Sequence, residues 1–475
     1  MTTRKRPGFS FEGSGRVGTL PTPLQSAAMN PDEVFKAYDI RGRTDTGDID
    51  SELYYRIGAV LVRTLDTDRF AVGRDCRASS EELALSLSDG LIEAGAQVVD
   101  LGEIPTDVLY YYSGAHSMAG AVVTASHNPA EYNGLKICRA GAVPVGEDSG
   151  LAEIKESVKD FSAPVSEKEG SVVGFDPLPG YLEHIFGVVE SDSIGPQRVA
   201  VDGGNGMAGV VLEQVFDRLA ANLTGLYLEP DGTFPNHPAD PLQEENLADL
   251  IAEIRSGDYD IGVAFDGDAD RAFFIDDRGK SVPGSTITSL VARYMLAKTP
   301  GASIVHNLIT SRSVPEIVTE LGGTPIRTRV GHSFIKKVMA DTGAVFGGEH
   351  SGHYYFADNY RADSGMLAML VMLSVLTASG QKMSELRSEV ERYSASGEIN
   401  FRVEDQRAAV DRIEEAFPDA SIDRLDGLSV DAGDFWFNVR ASNTEPLLRL
   451  NVEAGDDGEV DSAVSRIRAI IGPES

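Results

Sequence analysis

Cysteine is almost absent: Cys76 and Cys138 are the only two in 475 residues, and neither has a CxxC or metal-ligand spacing. This excludes a disulfide framework and a thiolate metal centre, and a reducing, cytoplasmic setting is expected. Long apolar runs are absent too. The most continuous, residues 366–376, has about half of the roughly 20 residues that a membrane span needs, so it reads as a buried helix and no membrane partner is expected. Positive charge is scarce. Lys and Arg number 42 against 74 Asp and Glu, a net charge of −32, which excludes general binding to nucleic acid or anionic lipid. An anionic ligand would need a local basic pocket that stands out from this background. Residues 1–28 carry Arg4, Lys5 and Arg6, then Pro7 and Gly8 with no apolar stretch, which excludes a secretory signal. They read as a flexible extension, and a chain beginning at Met29 is expected to fold and keep its activity.

What is present describes a globular chain of several units. Hydrophobic residues make up 42% and charged residues 24%, and the length corresponds to roughly three to four domains. From about residue 69, short β-branched runs alternate with helical periods: strands at 70–72, 97–100 and 121–124, with a helix at 79–94. The rhythm recurs with strands at 199–202, 226–228 and 261–265 and helices near 208 and at 242–254. It recurs again with helices at 287–296, 314–321 and 333–339. After about residue 389 it changes to strands at 399–403, 435–439 and 447–452 with helices at 406–417 and 460–471. The expected architecture is three similar α/β domains followed by a C-terminal α+β domain. The expected boundaries are an extension at 1–28, then domains at 29–176, 177–280, 281–389 and 390–475.

Five features carry chemistry. Asp266-Gly-Asp268-Ala-Asp270-Arg271 follows the apolar run 261–265. Carboxylates at alternate positions in a glycine loop can converge on one hard cation, Mg²⁺ or Ca²⁺, and Arg271 invites an anion to share the site. An EF-hand is excluded, because its sixth and twelfth positions are Arg271 and Asp277. Thr124-Ala-Ser126-His127-Asn128-Pro129, with Lys136 close behind, ends a strand where α/β proteins bind ligands. Gly348-Glu349-His350-Ser351-Gly352-His353 offers acceptors and donors for sugar hydroxyls. It lacks the GxSxG pattern, and a zinc site on His350 and His353 lacks a third ligand. Arg440-Ala-Ser442-Asn443-Thr444-Glu445-Pro446, with Arg449, suits a phosphate dianion. Taken singly, each also fits an ordinary solvated turn. The fifth, Gly204-Asn-Gly206-Met-Ala-Gly209 with Glu229 downstream, matches a dinucleotide fingerprint and keeps an NAD-dependent dehydrogenase in play. Another such string, at 13–18, precedes Pro21 and Pro23 and is chance. Gly279-Lys280-Ser281 is no P-loop, since position 274 is Phe.

Together with Tyr38-Asp39-Ile40-Arg41-Gly42, the serine, aspartate, Glu-His-Ser-Gly-His and Arg-Ala-Ser-Asn-Thr motifs resemble, in order and spacing, the α-D-phosphohexomutases, and within them the phosphomannomutase/phosphoglucomutase group. The resemblance runs from about Val34 to the C-terminus. It implies four domains around a central cleft and interconversion of hexose 6-phosphate and hexose 1-phosphate, of mannose or glucose, through a phosphoserine and a hexose 1,6-bisphosphate. It implies Ser126 as the phosphoryl carrier, with Asp266, Asp268 and Asp270 holding one Mg²⁺ that also touches Ser126. By the same resemblance Arg41, His127, Lys136 and His332 serve the reaction centre. Glu349, Ser351 and His353 contact the sugar, and Arg271, Arg440, Ser442, Asn443, Thr444 and Arg449 the substrate phosphates. The glycine string at 204–209 becomes a structural turn. The departure is Ile309, where some bacterial members carry lysine. Partners are expected to be small hexose phosphates, with the chain a monomer or small homo-oligomer. The alternatives are a phosphoglucosamine mutase, a serine phosphatase, a dehydrogenase and a non-catalytic sugar-phosphate binder.

Overall fold

The computed structural model describes residues 30–441 and 447–472. The extension at 1–28 and the candidates Ser442, Asn443 and Thr444 lie outside the described residues. Four sheets follow one another along the chain, the first three mixed and the last wholly antiparallel.

In the first sheet, Ala119–Val123, Arg69–Arg74, Gln97–Glu103 and Ser171–Gly174 run parallel, and Tyr132–Arg139 returns antiparallel against Ala119–Val123. In the second, Ile261–Phe265, Arg198–Asp202 and Asn222–Leu226 run parallel and Ala272–Asp276 returns against Ile261–Phe265. In the third, Phe346–Gly348, Ser303–Asn307 and Thr324–Thr328 run parallel and Tyr354–Phe356 returns against Phe346–Gly348. The shared design has a consequence for the site. The serine loop, the aspartate loop and the Glu-His-Ser-Gly-His loop are the same connection in three units, leaving the C-terminal end of a parallel strand where the chain reverses into an antiparallel one. Ligands of α/β sheets gather at that end.

The fourth sheet orders its strands Ser394–Arg402, Leu447–Ala454, Phe435–Ala441, Leu428–Asp431, Ser421–Asp423, with helices Gln406–Glu415 and Asp457–Ile471 packed on it. The strands Ser421–Asp423, at the edge, and Leu428–Asp431, beside it, escape a sequence pattern because they are only three and four residues long, separated by residues 424–427 with Asp426-Gly427. The expected strand at 226–228 is corrected: the strand is Asn222–Leu226, and Tyr227 turns into a left-handed conformation at φ 52°. There its carbonyl accepts the Asn205 N–H at 2.8 Å. The expected helix at 242–254 is a 3₁₀ turn, Glu244–Leu247, followed by Ala248–Ser256.

The apolar run at 366–376 lies in the helix Gly365–Ser379, capped by Ser364 Oγ, which accepts the Leu367 N–H at 3.1 Å, and closed by Gly380 at φ 65°. Met366 through Leu376 are all buried, so the helix is apolar all round because it is packed all round. No single helix among the described residues is long and apolar enough to cross a membrane. Cys76 and Cys138 are both free thiols.

Candidate active site

Asp266, Asp268 and Asp270 are each at most 1% exposed. Two neighbours cover them. The glycine turn at 203–209 packs beneath, with Met207 N–H donating to Gly267 O at 2.9 Å. Thr106 at the start of helix Thr106–His116 closes the side, its N–H donating to Asp268 O at 3.0 Å and its hydroxyl to Asp268 Oδ2 at 2.6 Å.

Burying three carboxylates together requires compensating cations. Arg271 pairs with Asp266 at 2.8 Å, and Lys136, from the first unit, donates to Asp268 at 2.6 Å and also to Asp270. Burial opposes the Lys136 ammonium, but Asp268 and Asp270 outweigh it and hold its pKa above the ordinary value. Burial raises the Asp266 carboxyl against the pull of Arg271. Asp268, which burial would also raise, is instead lowered, chiefly by Lys136. One oxygen from each aspartate lies within 4.8 Å of the others. Asp268 Oδ1 and Asp270 Oδ1 are buried with no hydrogen-bond partner. An all-oxygen donor set with unsatisfied buried acceptors fits a hard divalent cation.

Ser126 meets this loop from the first unit. Its Oγ donates to Asp266 Oδ2 at 2.7 Å, lies 3.3 Å from His127 Nδ1, and accepts from Arg271 Nη2 at 3.4 Å. Its backbone is left-handed, φ 52°, a region serine visits only at a cost of roughly 1–2 kcal/mol. Thr124 Oγ1 steadies it by accepting the Ser126 N–H at 2.9 Å. Arg41 donates to Ala125 O at 3.1 Å and Asn128 Oδ1 at 2.6 Å, and pairs with Asp39 at 2.8 Å.

A cavity of about 260 Å³ opens over Ser126, walled by Arg41, Lys136, His332, His353 and Asp363. His332 begins the helix His332–Thr342, and the edge of Tyr38 meets its ring at 5.3 Å between centroids. Burial pushes the His127 pKa down to about 2 and that of His332 to about 3, in each case with help from nearby cations, and burial also lowers His353. Burial therefore favours the neutral imidazole at all three.

The sugar-loop candidates divide. Ser351 Oγ and His353 Nδ1 are 3.1 Å apart, and His353 Nε2 lies 3.9 Å from Asp270 Oδ1. An antiparallel bridge between Arg271 and His353 sews the two loops together. Glu349 is 2% exposed and already engaged, accepting from Tyr355 OH at 2.6 Å and Asn307 Nδ2 at 3.0 Å. Arg440 and Arg449 face each other across neighbouring strands. Like charges so placed repel, and Glu398 lies 3.5 Å from Arg440 and 3.7 Å from Arg449 to offset them. Asp426, 3.7 Å from Arg440, accepts the Val330 N–H at 3.2 Å and so ties the fourth sheet to the segment before His332. Ile309 is buried and offers no cation.

Thr106, Lys336 and Asp363 belong to the site but carry no sequence signal of their own. Lys336 pairs with Asp363 at 2.6 Å, with its ammonium 3.9 Å from the centre of the Tyr110 ring. The dinucleotide reading fails on space. A Cβ on Gly206 would sit 2.6 Å from Gly267 O, and one on Gly209 would sit 1.6 Å from Leu228 O. The glycines admit protein backbone, which leaves no room for a pyrophosphate.

Family models for the phosphoglucomutase/phosphomannomutase alpha/beta/alpha domains I, II and III match residues 32–163, 179–279 and 283–393, and the model for the C-terminal domain matches 398–470. The chain is 39% identical over 427 residues to a Xanthomonas campestris pv. campestris protein of the phosphohexose mutases, a match covering 89% of this chain and 95% of that one. It is 38% identical over 440 residues to a phosphomannomutase of Salmonella montevideo, covering 90% and 96%. The crystal structure of a phosphoglucomutase/phosphomannomutase family protein from Burkholderia thailandensis matches with a TM-score of 0.84 at 32% identity, covering 94% of this chain and 99% of that one.

Proposed function

Since this chain belongs to the phosphoglucomutase/phosphomannomutase family and is a hexose phosphate mutase, we propose that it isomerises hexose 1- and 6-phosphates, of mannose and of glucose, by passing a phosphoryl group through Ser126. The observation that carries this reading is the meeting of a strained, buried serine from one unit with three carboxylates from the next, Ser126 Oγ lying 2.7 Å from Asp266.

In the proposed cycle phosphorylated Ser126 gives its phosphoryl group to a free hydroxyl of the bound hexose phosphate. The P–Oγ bond breaks, the new P–O bond forms, and the hydroxyl proton passes to a base. The resulting hexose 1,6-bisphosphate turns over, its other sugar O–P bond breaks as that phosphoryl group returns to Oγ, and the freed sugar oxygen takes the proton back from the base. Mg²⁺ bound by Asp266, Asp268, Asp270 and a Ser126 oxygen would relieve the phosphoryl charge that opposes attack. Lys136 and Arg41 supply fixed positive charge beside the transferring group. His332 and His353 line the cavity over Ser126 and are the groups placed to exchange the hydroxyl proton. Arg440 and Arg449 bind the phosphate that stays on the sugar, and Ser351 and His353 the sugar hydroxyls. Glu349 takes part by holding Asn307 and Tyr355 in place. Relatives named phosphomannomutase support mannose phosphates among the substrates.

The experiment is a label chase. Protein treated with ³²P-labelled hexose 1,6-bisphosphate should carry label on the peptide containing Ser126 and pass it to mannose 1-phosphate or glucose 1-phosphate in one turnover. Ser126→Ala should take up no label and lose activity by about three orders of magnitude or more. Label released only as inorganic phosphate would show a serine phosphatase instead.

A further inference from the structure

Arg77 lies in the turn between strand Arg69–Arg74 and helix Ser80–Glu93, and its side chain is fully buried. Its guanidinium meets the backbone of the serine loop and is not among the groups that wall the cavity. Nη2 donates to Ser126 O at 2.8 Å and Asn128 O at 2.6 Å. Nη1 donates to Pro129 O at 2.6 Å and Tyr132 O at 3.1 Å, and Nε donates to Asp75 Oδ2 at 3.1 Å. Four carbonyls of one seven-residue loop therefore converge on a single planar cation, and all of its N–H groups are engaged.

Asp75 is anchored in turn, accepting the Arg77 N–H at 3.0 Å and the Ser80 hydroxyl, and Asn133 Nδ2 donates to Ser80 Oγ at 2.9 Å. The second unit then seals the arrangement. The Phe234 ring covers the guanidinium at 4.9 Å, and Gly232 approaches so closely that a Cβ there would lie 2.4 Å from Arg77 Cα.

We propose that Arg77 is a positioning residue for phosphoryl transfer: by holding the carbonyls of residues 126, 128, 129 and 132 it keeps Ser126 left-handed with Oγ on the aspartate loop, and it couples that posture to the docking of the second unit. This rests on Ser126 being the phosphoryl carrier. Lysine in its place keeps the charge but has three donors and no planar fork, so it cannot hold four carbonyls at fixed angles. A small displacement of an attacking atom costs about a hundredfold in rate.

The test compares Arg77→Lys, Arg77→Ala and wild type in steady-state assays, single-turnover transfer from ³²P-labelled Ser126, Mg²⁺ titration by calorimetry and thermal unfolding. Arg77→Lys should lower kcat and the single-turnover rate by about a hundredfold, with KM and Mg²⁺ affinity within about threefold of wild type. Millimolar guanidinium should recover part of the rate lost in Arg77→Ala. A folded Arg77→Lys with wild-type kcat would overturn the inference, and so would parallel loss of kcat, Mg²⁺ affinity and melting temperature without guanidinium rescue. Should neither Arg77 variant fold, Gly232→Ala, which presses on Arg77 from the second unit, must show the same loss in kcat at near-constant KM, and its failure to do so counts against the proposal. Absence of label on wild-type Ser126 would instead break the proposed carrier role and is read separately.

Discussion

At the scale of single residues the site is a balance of buried charges. Asp268 accepts from both Thr106 and Lys136 through one oxygen, while the other is unsatisfied. Asp268→Asn keeps an acceptor for Thr106 and removes one of three clustered negative charges. It should weaken Mg²⁺ binding by at least about 10- to 100-fold, the loss when even an outer partner of a metal ligand is removed, and lower turnover with it, and breaking the buried pair with Lys136 should also lower stability. Calorimetric Mg²⁺ titration beside activity at limiting Mg²⁺ checks this, and unchanged values would remove Asp268 from the cation site. The aspartate spacing pointed to the acidic cluster because alternate carboxylates in a glycine loop have few other uses. Arg77 gave no such signal. Its function lies in hydrogen bonds to carbonyls some fifty positions away, and carbonyls are the same in every residue.

Among elements, the fourth sheet offers the clearest forecast. Arg440 and Arg449 form a cross-strand pair with Glu398 as shared counter-ion. Replacing either arginine by alanine should raise KM for hexose phosphate about ten- to hundredfold, since a charge-assisted hydrogen bond contributes roughly 1.5–3 kcal/mol. Normal KM in both variants would move the phosphate site elsewhere. The glycine turn before helix Gly209–Phe216 makes a different demand. Gly209→Ala would force a Cβ to 1.6 Å from Leu228 O, an overpacking with typical cost of about 1–3 kcal/mol or more. A fall in melting temperature should follow, and a variant as stable as wild type would mean the turn yields easily. Most helices and central strands are legible in the sequence through their apolar periods. The Tyr227 turn and the short strands at 421–431 are not, because residues there are selected by a left-handed backbone and by tertiary pairing.

On the scale of the whole molecule, Asp107 is a joint between units. Its Oδ2 accepts from Tyr181 OH and from Ser364 Oγ, each at 2.7 Å, and its Oδ1 is buried without a partner. Burial pushes its pKa up to about 7, against partial relief from the two hydroxyls. In an unfolded chain it would titrate near 4. Between these values the folded protein holds a proton that the unfolded chain has released, so this group's contribution to stability is whole below pH ~4 and is lost as pH rises to ~7. The loss is at most ~4 kcal/mol. Asp107→Asn does not titrate, so its melting temperature relative to wild type should rise from pH 5 to pH 8, and parallel curves would refute the assignment. The sequence by itself determined the fold class, the motif set and the family, because apolar periodicity and chemically distinctive loops are local properties of the chain. Only the tertiary structure decided that three of those loops are one connection repeated, that the aspartates are buried under a glycine turn and Thr106, and that Arg77 and Asp107 join the units. Each depends on distances between segments remote in sequence, set by how the sheets pack rather than by any residue's own preference.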